Sequence, residues 1–111
     1  MDTKLAIQSN GVAVVHLAGR LDMVAASELR DLLARTVSEG HSRLVVDLGE
    51  VAFIDSSGLG ALISGLKAAR QAGGDLRLAR PGDQARMVLQ LTTLDRVLRP
   101  YGSTEEAVAD Y

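Results

Sequence analysis

Apolar and polar side chains alternate at the start of the chain. Lys4 to Ser9 alternates about Leu5 and Ile7, and Asn10-Gly11 is a two-residue hairpin signal. Val12 to Ala18 follows as a second strand, with Ala13, Val15 and Leu17 on one face and Val12, Val14 and His16 on the other. Gly19-Arg20-Leu21-Asp22 breaks the alternation and predicts a turn. The period then becomes helical. From Val24 to Glu39, residues Ala25, Leu29, Leu32, Leu33 and Val37 recur on one face, with Asp22 as N-cap and Gly40 just past the end. Arg43 to Leu48 is a near-continuous apolar run, which suits a strand buried on both faces.

After Phe53 and Ile54 the helical period returns from Ser57 to Ala72, carried by Leu59, Leu62, Ile63, Leu66 and Ala69, and Gly73-Gly74 stops it. Leu76 and Leu78 mark a short strand that Pro81-Gly82 ends. Ala85 to Thr92 predicts a third helix with Met87, Val88 and Leu91 inward, and Arg96 to Leu98 a last short strand. Ser103-Thr104-Glu105-Glu106 has the spacing of a capping box for a short final helix. A hairpin followed by alternating helices and strands predicts an α/β domain, a mixed sheet of about four to five strands packed by about four helices. At 111 residues, positions 1–111 form one domain, with no internal repeat or linker.

Composition narrows the chemistry. With 47% hydrophobic residues but one Phe, two Tyr and no Trp, the core must be aliphatic and base-stacking platforms are absent. The 12 basic and 14 acidic residues include no basic run, which argues against direct contact with nucleic acid. The absence of cysteine removes disulfides and thiolate metal sites and suits a cytoplasmic location. The N-terminus lacks a signal-peptide layout, and no apolar run approaches a membrane span of about 20 residues.

Phe53-Ile54-Asp55-Ser56-Ser57-Gly58-Leu59-Gly60 is the most informative stretch. It places two hydroxyls at the mouth of a helix, where unpaired N–H groups and the helix dipole tolerate a phosphate. Asp, Ser and Gly are also ordinary helix-start residues. Two adjacent hydroxyls and two glycines exceed what a cap needs, and Gly58 and Gly60 each cost about 1 kcal/mol relative to Ala inside a helix. A backbone that another surface must approach closely would justify that cost.

Catalytic patterns fail. The serines do not sit in a G-x-S-x-G elbow, and the available bases are His16 in a strand and His41 in a turn. Gly60 to Lys67 misses a phosphate loop because Leu66 intervenes before Lys67 and no Ser or Thr follows. Ile63 occupies the third glycine position of a dinucleotide fingerprint. The spacing of Asp22, Asp47 and Asp55 does not demand a metal. The residues themselves read as an interaction module with a modifiable serine, not an enzyme, and imply no cofactor.

The chain resembles the bacterial anti-sigma factor antagonists, single-domain proteins of the STAS type. The resemblance spans essentially the whole chain: the hairpin, Gly19-Arg20-Leu21-Asp22, Val45-Val46-Asp47-Leu48, the Asp55-Ser56-Ser57-Gly58 signature and Gly73-Gly74. It implies partner switching. The unmodified antagonist would bind an anti-sigma factor that is also a serine kinase, freeing a sigma factor. Phosphorylation would release the antagonist, and a metal-dependent serine phosphatase would reset it. By motif position the phosphoacceptor is Ser56, with Ser57 the second choice and the better helix cap. Asp22, Asp55, Ser56, Ser57, Gly58, Leu59 and Gly60 are the implied partner-binding residues. The competing readings are an accessory or scaffold subunit of a transporter or sensory complex, and a small nucleotide-hydrolysing enzyme that the missing phosphate loop disfavours.

Overall fold

Asn10-Gly11 is where the chain reverses between β1 (Asp2–Ile7) and β2 (Ala13–Leu21) in the computed structural model, which describes residues 1–111. These strands pair antiparallel, with Lys4 opposite His16. The remaining pairs are parallel, because each strand is reached by a helical crossover: α1 (Met23–Ser38) to β3 (Arg43–Ile54), then α2 (Ser56–Gln71) to β4 (Asp75–Ala79). After α3 (Asp83–Leu91) the chain enters β5 (Pro100–Tyr101) and ends in α4 (Thr104–Ala109). The strands lie in the order β1-β2-β3-β4-β5. The predicted class, a mixed sheet packed by helices, is the observed one.

The two sheet faces are unequally covered. A cluster of 22 buried residues joins Ala13, Val15 and Leu17 to Leu44, Val46, Leu76 and Leu78 and to the inner faces of α1, α2 and α3. The opposite face has a cluster of only five, including Val12, Val14 and Val45, with α4 packed on it. That face is therefore left open over β1 and β2. The alternation read along β2 assigned its side chains to the correct faces.

Three expectations need correction. Gly19-Arg20-Leu21 is not a turn but the last part of β2, and β3 continues through Gly49 to Ile54 beside it, ending at Leu21↔Ile54. Register shifts between His16 and Ala18 and between Gly19 and Arg20 reset the side-chain parity, and Gly19 has φ +111°. Strict alternation therefore fails while pairing persists. Arg96 to Leu98 is not a strand. Leu94–Arg96 is a 3₁₀ turn entered through Thr93 at φ 57°, and Leu98 plugs the core from irregular chain. On α3 the inward residues are Ala85 and Leu89, with Val88 partly buried, while Met87 and Leu91 are 59% and 79% exposed. The amide of Gln84, bonded to the end of β3, sets that rotation.

Candidate functional site at the mouths of two helices

β2 and β3 are parallel neighbours that end level with each other, at Leu21 and Ile54. Each is followed by an aspartate and then a helix. Asp22 Oδ1 accepts from the Ala25 N–H at 3.2 Å, and Asp55 Oδ1 from the Gly58 N–H at 2.9 Å. The Asp55 N–H donates to the Leu21 carbonyl at 3.3 Å. Strand pairing thus brings the two capped helix starts side by side, and Asp22 into the neighbourhood of the serine loop. Both carboxylates satisfy N–H groups that a helix start leaves unpaired.

Ser56 is the first residue of α2 and is exposed, while Ser57 is half-buried. Neither hydroxyl enters a hydrogen bond within the chain; Asp55, not Ser57, is the cap. Gly58 and Leu59 are buried and face the core, so they hold the loop from beneath. A Cβ on Gly58 would come within 2.5 Å of the Leu21 carbonyl oxygen and 2.8 Å of Leu21 Cγ. The close backbone approach that demands this glycine is therefore the protein's own β2, not an incoming surface. Gly60 is partly exposed, and the guanidinium of Arg30 lies 3.5 Å from where its Cβ would be.

Two contributors were missed in the sequence. β4 pairs only with Arg43 to Asp47, so the far half of β3 has no neighbour on that side. Gln84 serves as a one-residue substitute: its Oε1 accepts from the Ile54 N–H at 2.9 Å and its Nε2 donates to the Ile54 carbonyl at 2.8 Å. It fixes the strand end just before Asp55, and no local signal in the sequence announces it. The second is an apolar pair, Met23 and Val24, each 72% exposed, on the first turn of α1 beside Asp22. The Arg20 guanidinium stacks 4.4 Å from the centre of the Phe53 ring at the same end.

The other polar cluster lies on the open sheet face. Asp47, 2% exposed, receives Arg80 Nε at 2.9 Å, Arg80 Nη2 at 2.8 Å and the Gly49 N–H at 3.0 Å, and pairs with His16 Nδ1 at 2.7 Å. Burial alone would raise the Asp47 carboxyl. The Arg80 hydrogen bonds, helped by Gly49 and His16, outweigh that and hold it below its ordinary 3.8. Arg80 adopts φ 53° to reach it, and its guanidinium fills the space a side chain on Gly49 would need. An open hollow of about 400 Å³ beside it is lined by Lys4, His16, Ala18 and Glu50. His16 is thus committed to Asp47 across the sheet from the serines, and the structure does not assemble a serine–histidine pair. Asp22 and Asp55 are brought together; Asp47 is not, and no group of three or more His, Asp or Glu is placed to hold a metal ion.

A STAS-domain family profile matches residues 4–107. This chain belongs to the STAS domain family. Among curated relatives, the anti-sigma-F factor antagonist RsfB of Mycobacterium tuberculosis is 30% identical over 99 residues, covering 89% of this chain and 80% of that protein. A Thermotoga maritima protein named as a candidate anti-sigma factor antagonist is 32% identical over 74 residues, 67% of this chain and 66% of its own length. A crystal structure of a candidate anti-sigma factor antagonist from Thermotoga maritima superposes with a TM-score of 0.90 at 26% identity, covering 97% of this STAS chain and 92% of that one. The Bacillus protein SpoIIAA in its phosphorylated form shares the fold, with a TM-score of 0.78 at 23% identity and 98% of each chain covered. No helix here is long and apolar enough to cross a membrane.

Proposed function

We propose that this STAS protein is an anti-sigma factor antagonist controlled by phosphorylation of Ser56. The observation that carries the proposal is the exposed, unbonded Ser56 hydroxyl at the head of α2, set beside the capped start of α1 on a rigid pair of strand ends. The names of its relatives supply the class of partner. In the unmodified state the surface around Asp22, Asp55 and Ser56, with Met23 and Val24 beside it, docks on an anti-sigma factor in the cytoplasm and frees its sigma factor. Gly58 and Leu59 support that surface from below. The anti-sigma factor is also the kinase. Ser56 Oγ attacks the γ-phosphorus of ATP held by the kinase, the new O–P bond forms as the bond to ADP breaks, and the hydroxyl proton passes to a base of the kinase. A metal-dependent serine phosphatase hydrolyses the ester and restores the hydroxyl. This chain supplies only the nucleophile.

The phosphate brings about −1.5 to −2 charges to a face that already carries Asp22 and Asp55. A helix start tolerates that charge in the free protein, whereas a docked partner would have to take it out of water. The test is affinity capture with the wild type and Ser56→Asp as paired baits, followed by mass spectrometry. A serine kinase of the anti-sigma type is expected on the wild type and absent from Ser56→Asp. The same partners on both baits, or a transporter subunit in its place, would sink the phospho-switch.

A further inference from the structure

We infer that Arg30 is the group that receives the phosphate on Ser56. The inference rests on the reading of Ser56 as the phosphoacceptor. α1 and α2 both begin at the ends of neighbouring parallel strands, so they run side by side in the same direction. A long helical side chain leans toward its helix N-terminus, which carries the Arg30 guanidinium toward the serine end of α2. It comes to rest with Nη2 3.5 Å from the position of a Cβ on Gly60. Gly60 follows Ser56 by four residues, about 6 Å along the axis and on the same helix face. Ser56 opens α2 and its side chain leans off the helix start, so Arg30, which is exposed, meets the phosphate by swinging about one helical turn further along α2 toward Ser56.

Arg30 is free to respond. It enters none of the ion pairs of the protein. Its helical neighbours at three and four positions are Ser27, Leu33, Ala26 and Ala34, so α1 offers it no carboxylate. Arg20, another cation at this end, is stacked on Phe53. The helix start itself is partly spent, since Asp55 already takes the Gly58 N–H and sets a negative charge next to the incoming one. A cation therefore adds to what the remaining N–H groups of the helix start supply, and the guanidinium over Gly60 is one that is unengaged and within a helical turn. Phosphorylation then changes the docking surface twice: it adds negative charge and occupies an exposed positive one.

The test installs phosphoserine at position 56 of the full chain by genetic encoding, with Arg30 retained or changed by Arg30→Gln or Arg30→Lys, and follows the phosphorus NMR shift against pH. The second ionisation of a phosphoserine lies near about pH 6. It should fall about half a unit lower with Arg30 than with Arg30→Gln, follow the wild type in Arg30→Lys, and lose most of the difference in strong salt. Coincident titrations of the wild type and Arg30→Gln would overturn the inference. No kinase is needed for this measurement, so a failure to find one would sink the function proposed for Ser56 and leave the Arg30 result standing.

Discussion

Two aspartates on one stretch of chain are used in opposite ways. Asp47, inside β3, is buried and closed off by Arg80, His16 and the Gly49 N–H. Asp55, eight residues further on, caps α2 through one oxygen and leaves Ser56 beside it unbonded and open to solvent. The first arrangement consumes its polar groups within the fold. The second satisfies the backbone alone and keeps side-chain chemistry available. A buried charge must be neutralised by its own protein, so the Asp47 cluster is spent on the fold, while the exposed Ser56 hydroxyl is left free for a partner.

Substitutions at the two places should therefore separate binding from stability. The largest effect is expected for Ser56→Asp, with at least a hundredfold loss of affinity for the anti-sigma partner, about 2.7 kcal/mol, and a nearly unchanged melting temperature. Titration calorimetry beside thermal denaturation reads both. A large loss of stability with retained binding would contradict it. Arg80→Ala should do the reverse. Asp47 would keep His16 and Gly49 but lose its bidentate cation, at a cost of about 2 kcal/mol in urea unfolding, with partner affinity unchanged.

The same pair has a pH signature. A carboxyl held below its ordinary value stabilises the fold above that value, and the contribution is lost as pH falls through the lowered one. The wild type should therefore carry the full Asp47 contribution above pH 3.8 and lose it progressively as pH falls from there through the lowered value. In Arg80→Ala that lowering cause is gone, so its deficit should shrink as acid protonates Asp47. A deficit constant across the acid limb would mean that Arg80 acts by packing and not by charge.

Gln84→Ala tests whether the two regions are as independent as this contrast implies. It removes both bonds to Ile54 and should cost about 1–2 kcal/mol, and it also releases the strand end that holds Asp55 and Ser56. Partner affinity should fall several-fold, beyond any effect of Arg80→Ala. Loss of stability with full affinity would show that the pairing of Leu21 with Ile54 positions the loop unaided.

Most of the fold was legible in the sequence because its signals are local. The hairpin at Asn10-Gly11, the faces of β2 and the stripes of α1 and α2 follow from period and punctuation, and Asp55-Ser56-Ser57 announced the start of α2 with its exposed serine. What failed depends on distant parts of the chain. The bulges that carry β2 through Gly19 make sense only beside a long β3, and the rotation of α3 follows from Gln84 reaching Ile54, 30 residues away. Asp47 was legible as a polar residue within a buried strand, and only the parallel register, which sets it beside His16, shows what neutralises it.

The finest contrast lies within α2, between Gly58 and Gly60. Both weaken the helix on propensity alone, by about 1 kcal/mol each relative to Ala. Gly58→Ala should nevertheless destabilise by about 1–2 kcal/mol, since its Cβ would collide with Leu21. Gly60→Ala meets only Arg30 Nη2 at 3.5 Å, an ordinary contact with the end of a flexible side chain. It should stabilise the free protein by about 0.5–1 kcal/mol in urea unfolding. Its effect on binding carries the further information. Because Gly60 lies on the Ser56 face, an added methyl that weakens the partner complex while strengthening the fold would show that this glycine is kept bare for the partner, as Gly58 is for β2. Unchanged affinity would confine the interface to the helix mouth at Asp22, Asp55 and Ser56.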